Sequence, residues 1–279
     1  MLLINKKIPT LAPLPCELAQ LELGAISYQK LLSDRLGQIH GSWQMDFFPT
    51  AELVEKISRR DNYEVRWQDG TLVGFSAADC RQPAEIIGFE GIKITYPWDL
   101  LDLLSIFPGK LEADAVCGKV SASAHADGFL VLGENSVILP GVYIEGNAVI
   151  GRNCRIGPNA YIRGNTLIGD NCRIGQAVEI KNSIINSGTH IGHLSYVGDS
   201  IIGRAVNFGA GTIAGNLRHD NLQHHSEIDG KLIATNRRKL GVITGENVHT
   251  GIHTSIYPGR KLFAGATTLP GEVIRQDKH

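Results

Sequence analysis

The sequence predicts a mostly β protein in which a parallel β-helix built from hexapeptide repeats follows a small α+β domain. Three observations predict it. Leu132, Ile138, Ile144, Ile150, Ile156, Ile162, Ile168, Ile174 and Ile180 recur every six residues without a slip. A Gly or small polar residue follows most of them, and a small or β-branched residue stands four places on (Ser136, Val142, Ala148, Cys154, Ala160, Thr166, Cys172, Val178). The 32 glycines are concentrated after residue 130, marking a turn-rich half. An amphipathic helix needs apolar residues three and four apart and a half-buried strand needs strict alternation, so a pure six-residue period identifies a solenoid.

The physical account is a triangular prism. Each hexapeptide makes one flat face and one corner, three make a coil of about 18 residues, and coils stack as parallel strands. The aliphatic residue fills the axis and the small residue fits inside the corner. Cys154 and Cys172 stand one coil apart in that small-residue slot. Stacked corner packing, rather than redox or metal chemistry, is their expected role.

Residues 1 to 110 carry no repeat and read as the small α+β domain. Leu18 to Leu36 has helix-like apolar spacing weakened by Gly24. Thr50 caps a firmer helix, Ala51 to Arg60, with Glu52 and Glu55 near its positive end. Residues 63–67 and 71–75, joined through Asp69-Gly70, read as a hairpin. Neither G-x-G-x-x-G nor G-x-x-x-x-G-K-[ST] is present, so no phosphate-cradling loop is expected here.

Bulk properties exclude several classes. A formal net charge of −1 and a pI near 6.8 give no footprint for nucleic acid. No apolar run approaches 18 residues and no basic stretch precedes an apolar core, which predicts neither membrane helix nor signal peptide. Five cysteines without a C-x-x-C fit reduced thiols in a cytoplasmic protein.

The repeat domain is assigned to residues 120 to 279. Its register slips twice, Ile180 to Ile185 and Val197 to Ile202 being five apart. The slips bracket the octet Gly192-His193-Leu194-Ser195-Tyr196-Val197-Gly198-Asp199, as expected of a site grafted on a regular scaffold. A polar, basic and structureless loop is expected over residues 214–243, of a length more often functional than idle. His190 with His193, and His224 with His225, lack a spacing that would hold zinc, and no metal site is expected.

Arg163, residues 178–181, the stretch from Ile191 to Asp199, residues 206–212 and Asn216 resemble the acetyltransferase half of the bifunctional glucosamine-1-phosphate acetyltransferase and N-acetylglucosamine-1-phosphate uridyltransferase family. Residues 215–218, 236–241 and 250–252 resemble more closely its archaeal-type sugar-1-phosphate nucleotidylyltransferase branch. Leu217 and Ile252 depart from the bacterial pattern and agree with that branch. The resemblance covers roughly residues 120 to 275. It implies a left-handed β-helix, assembly as a homotrimer with sites between subunits, and acetyl-CoA-dependent N-acetylation of an amino-sugar 1-phosphate or a nucleotide-linked amino sugar.

By the same resemblance, His193 is the general base, a role that suits a neutral imidazole. Arg163 and Lys181 hold the phosphate, one as a planar fork and one as a point charge. Tyr196, Asn207 and Asn216 position the sugar. Ala210 and Gly211 meet acetyl-CoA through uncovered backbone N–H groups, and Arg237, Arg238 and Lys239 meet its 3′-phosphate. The bland readings are a surface imidazole, solvent-facing cations and a solvated basic loop. The segment from Gly91 to Leu101 resembles the close of the family's nucleotidyltransferase half, whose opening Gly-rich loop is absent. Residues 1 to 110 are thus expected to be a reduced remnant without uridylyl transfer. The competing class is a catalytically silent sugar-nucleotide-binding scaffold or regulatory subunit.

Overall fold

The computed structural model describes residues 1–37, 39–77, 83–109 and 111–279. It divides into two compact units, one of residues 1–11, 15–21 and 27–99, the other of residues 12–14, 22–26 and 100–279.

In the first unit, strands Leu2–Ile4, Ser42–Gln44, Leu72–Ala77, Asn62–Arg66 and Glu85–Gly88 lie side by side in that order. The predicted hairpin is present, pairing Asn62–Arg66 with Leu72–Ala77. The Thr50 hydroxyl accepts from Leu53 N at 3.1 Å and starts a helix at Ala51–Ser58. The helix expected over Leu18 to Leu36 forms only as Tyr28–Leu36, after a 3-10 turn at Leu18–Gln20. Gly24 sits between them at φ +65°, a conformation no helix continues through. Trp43, Phe47, Phe48 and Tyr63 fill the core, where the Trp43 indole donates to Phe47 O at 2.7 Å.

The second unit is the left-handed parallel β-helix. Its coils contribute one short strand each to three parallel sheets, the faces of a prism. Leu132, Ile150, Ile168, Ile185 and Ile202 line the axis from the first face. Ile138, Ile156, Ile174, Ile191 and Phe208 do so from the second. Ile144, Ile162, Ile180, Val197 and Ala214 complete it from the third. Cys154 and Cys172 are buried in the corner slot, as the period predicts.

Outward-facing residues distinguish the faces. On the first face they are Val131, Val149, Leu167, Ile184, Ile201 and Ile243. All but Val131 are buried, and the segments 12–14 and 22–26 belong to the same unit as this face. Gly24 approaches Leu167 closely, its N–H donating to Asn186 Oδ1 at 3.0 Å. On the third face the column is Tyr143, Tyr161, Glu179, Tyr196 and Ile213, none of them buried.

Both register slips fall at one corner, where the third face turns into the first. There Gly164-Asn165 is followed one coil on by Asn182 alone, and then by Asp199 alone, so that Leu167, Ile184 and Ile201 remain in register. Asn182 and Asp199 make these one-residue corners at φ 43° and 48°, which their short polar side chains tolerate. The inserted segment leaves from this corner too, between Ile213–Ala214 and Ile243–Thr244. It is not structureless. His225–Ile228 and Lys231–Ala234 pair antiparallel around Asp229-Gly230, a two-residue turn with both residues at positive φ.

Candidate active site

His193 occupies the corner between the second and third faces. Successive coils stack there as Pro140-Gly141, Pro158-Asn159, Gln176-Ala177, His193-Leu194, Ala210-Gly211, Ile252-His253 and Pro270-Gly271. In each pair after the first, the second residue's N–H donates to the carbonyl of the first residue one coil below, as from Leu194 to Gln176 at 3.0 Å and from Gly211 to His193 at 2.9 Å. Every second residue has positive φ, from 53° at Asn159 and Ala177 to 72° at Gly141. A proline followed by a positive-φ residue is the chemistry of a type II turn. Four consecutive coils drop that proline, and His193 is among the replacements.

The change exposes donors. Proline has no N–H, whereas Ala210 has one, and it has no hydrogen-bond partner among the described residues. The neighbouring N–H groups are occupied, Gly209 by Thr250 O at 3.1 Å and Gly211 by His193 O. Of the expected cluster of uncovered amides around Gly211, then, only Ala210 is available. His193 is exposed, and Leu194 beside it is 57% exposed at φ 62°, an uncommon conformation for a bulky residue. Asn207 projects from the second face, in register with His190 below and His249 above.

The expected cations gather at the other end of the third face. Arg163 and Lys181 are directly in register on adjacent coils. Arg163 Nε donates to Glu179 Oε1 at 2.7 Å, and this bond holds the guanidinium above its ordinary pKa. Lys181 Nζ lies 3.0 Å from Asp199 Oδ2, with only 13% and 12% of the two side chains exposed. Asn216 Nδ2 donates to Asp199 Oδ2 at 2.5 Å and to the Tyr196 hydroxyl at 3.0 Å. Burial, with the charges of Asp199 and Glu179, raises the Tyr196 pKa. Gly198 makes room for this network, since a Cβ there would lie 2.3 Å from the Tyr196 hydroxyl.

Arg163, Lys181, Tyr196 and Asn216 thus form one cluster, while His193, Asn207, Ala210 and Gly211 lie at or beside the opposite corner. Tyr196 links them, opening the strand Tyr196–Gly198 three residues after His193. Glu179, Asp199 and Gly198 are the cluster members missed as site residues in the sequence. The five-residue spacing was the signal for Asp199, because a shortened corner is what aims its carboxylate at Lys181.

The basic run does not act as a unit. Arg237 is ion-paired with Asp102. Arg238 lines an open groove of about 600 Å³ with Arg218, Asn221, Leu222, Gln223 and His225. Lys239 is bridged through its backbone to Leu217. The groove's root is held by His224, buried with its Nε2 3.1 Å from Asn216 O; burial depresses this imidazole's pKa. Among the described residues no group of three or more His, Cys, Asp or Glu side chains could hold a metal ion, and no helix is long and apolar enough to cross a membrane.

Residues 138–257 match the GMPPB C-terminal domain family. A bifunctional sugar-1-phosphate nucleotidylyltransferase/acetyltransferase of Sulfurisphaera tokodaii is 38% identical over 80% of this chain and 55% of its own length. The bifunctional protein GlmU of Methanococcus maripaludis is 52% identical over 64% of this chain and 42% of its own. The β-helix is homologous to the C-terminal halves of these bifunctional enzymes. The chain spans about half the length of the curated relatives it matches. A solved UDP-N-acetylglucosamine acyltransferase of Francisella novicida is 17% identical, covering 59% of this chain and 62% of that one at a TM-score of 0.42.

Proposed function

We propose that this protein is an acetyl-CoA-dependent N-acetyltransferase acting on an amino-sugar 1-phosphate or a nucleotide-linked amino sugar. The observation that carries the reading is the third face itself, with an accessible imidazole and a free Ala210 N–H at one end and an in-register guanidinium and ammonium at the other. The sugar spans the face, its phosphate against Arg163 and Lys181 and its amine at His193. Glu179 and Asp199 preorient the two cations, so little side-chain freedom is lost when phosphate arrives.

The amine lone pair attacks the thioester carbonyl while His193 takes the proton, the carbonyl oxygen becoming an oxyanion that the Ala210 N–H can meet. Collapse breaks the carbon–sulfur bond, and the CoA thiolate leaves with the proton returned by the imidazolium. No covalent enzyme intermediate forms. Tyr196, Asn207 and Asn216 position the sugar, and Arg238, with Arg218 across the same groove, is the member of the basic run best placed for a phosphate of the coenzyme.

Flat prism faces close well under three-fold symmetry, and a homotrimer would cover the exposed His193 corner with a neighbouring copy. Residues 1–110 are read as a reduced remnant that packs rather than transfers nucleotides. The alignment with the Sulfurisphaera enzyme covers more residues than the repeats contain, and so reaches into this part of the chain. A cytoplasmic location suits the reading.

The test is release of free CoA from acetyl-CoA with glucosamine 1-phosphate or galactosamine 1-phosphate. Turnover is expected, with His193→Ala lower by roughly 10²–10⁴-fold. Folded, trimeric protein without turnover on either acceptor would favour the silent scaffold.

A further inference from the structure

Directly above Ala210 and Gly211 in the His193 corner stand Ile252 and His253, and the side chain of His253 does not point away. A Cβ built on Gly211 would lie 2.6 Å from His253 Nδ1 and 2.9 Å from its Cε1, so the imidazole occupies the space that a side chain at 211 would take. The ring is aimed there by the backbone, because His253 has φ 57° and its N–H donates to Ala210 O at 2.7 Å. Glycine at 211 is what lets the ring lie down over the turn. Ile252, 52% exposed, stands over Ala210 in the same stack.

Any group whose carbonyl oxygen rests on the Ala210 N–H therefore has Ile252 above it and the His253 ring beside it. We propose that His253 is a specificity-determining residue, the wall that limits the acyl group accepted at this corner to acetyl or little more. The inference rests on the acyltransferase reading above and goes beyond it by assigning acyl length to a residue whose chemistry plays no part in the transfer. His253 moves no proton in this scheme. Its effect is steric, since one methylene that does not fit is worth roughly 10–200-fold in discrimination.

The test compares wild type with His253→Gly and His253→Asn, both of which keep the positive-φ turn. Two quantities are measured for acetyl-, propionyl- and butyryl-CoA: dissociation constants by calorimetry, and kcat/KM with an amino-sugar 1-phosphate. Wild type is expected to favour acetyl-CoA at each step. The glycine variant is expected to lose roughly tenfold of the discrimination against butyryl-CoA, and the asparagine variant less. Folded variants with unchanged discrimination would overturn the proposal while leaving the transferase reading intact. Acyl-CoA binding whose length preference responds to residue 253, without turnover, would sink the transferase reading and keep the wall. Absence of any acyl-CoA binding overturns both.

Discussion

The first and third faces of the prism are built by one repeat, and inward they are interchangeable. Outward they are opposites. Val149, Leu167, Ile184, Ile201 and Ile243 make the first face a second buried hydrophobic surface. Tyr143, Tyr161, Glu179 and Tyr196, with Arg163 and Lys181 one column over, keep the third face polar and open. The period that specifies the scaffold is therefore silent about chemistry. What a face does is written in the residues beside the core position, where packing on the axis imposes no choice.

Substitutions that swap the characters of the two faces should show the contrast most strongly. Ile184→Asp would bury an unpaired carboxylate on the first face and is expected to leave no soluble folded protein. Ile184→Ala should cost about 2–5 kcal/mol in urea unfolding, whereas Tyr143→Ala on the open face should stay within about 1 kcal/mol. Equal costs would mean that the third face is as constrained as the first.

Next in size is Lys181→Met. Removing the ammonium leaves Asp199 buried with only its Asn182 and Asn216 donors, an expected loss of about 3 kcal/mol. Lys181→Met with Asp199→Asn should recover much of that stability without recovering phosphate affinity, which separates the structural pair from its proposed ligand role. Arg163→Lys should change stability by less than about 1 kcal/mol, since a third of each side chain in its pair with Glu179 is exposed. Losing the planar fork is nonetheless expected to raise KM for the acceptor roughly tenfold.

The smallest effect concerns pH. Burial holds His224 neutral to lower pH than the ordinary value of 6.5. Unfolded chains therefore take up the proton first, and stability tied to this group is complete above that value and declines as pH falls below it. Amide protection over residues 215–242, taken relative to the intrinsic exchange rate at each pH, should weaken between pH 7.5 and 5.5. In His224→Gln, whose amide can still donate to Asn216 O, that weakening should be blunted.

The axis of the helix, the corner cysteines, the Thr50 cap and the first-unit hairpin are legible because each depends on neighbours in sequence or on an unbroken period. The proline column was equally visible in principle at Pro140, Pro158 and Pro270, and its interruption marks the His193 corner more sharply than the octet does. The apolar residue just before every third core position likewise marks the buried face. Less legible were contacts closed by the fold. That Arg237 meets Asp102, 135 residues away, follows from no local pattern. The location of both register slips at the Asp199 corner, rather than around His193, became apparent only once the coils were laid in register. Asp229-Gly230 is a hairpin signal, and the strands on either side of it pair within the segment expected to be loop.

The proline corners have a consequence for how such a chain changes over generations. Within the stack each coil meets only the coil above and the coil below, so the coil turning on Pro140, which carries none of the clustered residues, is a spacer whose duplication or deletion should leave the geometry of the others unchanged. The coil of Pro158, which carries Arg163, and the four turning on Gln176, His193, Ala210 and Ile252 are not interchangeable in that way. A coil inserted among these, just below His193, would separate Arg163 and Lys181 from it, whereas one inserted before Pro140 would not.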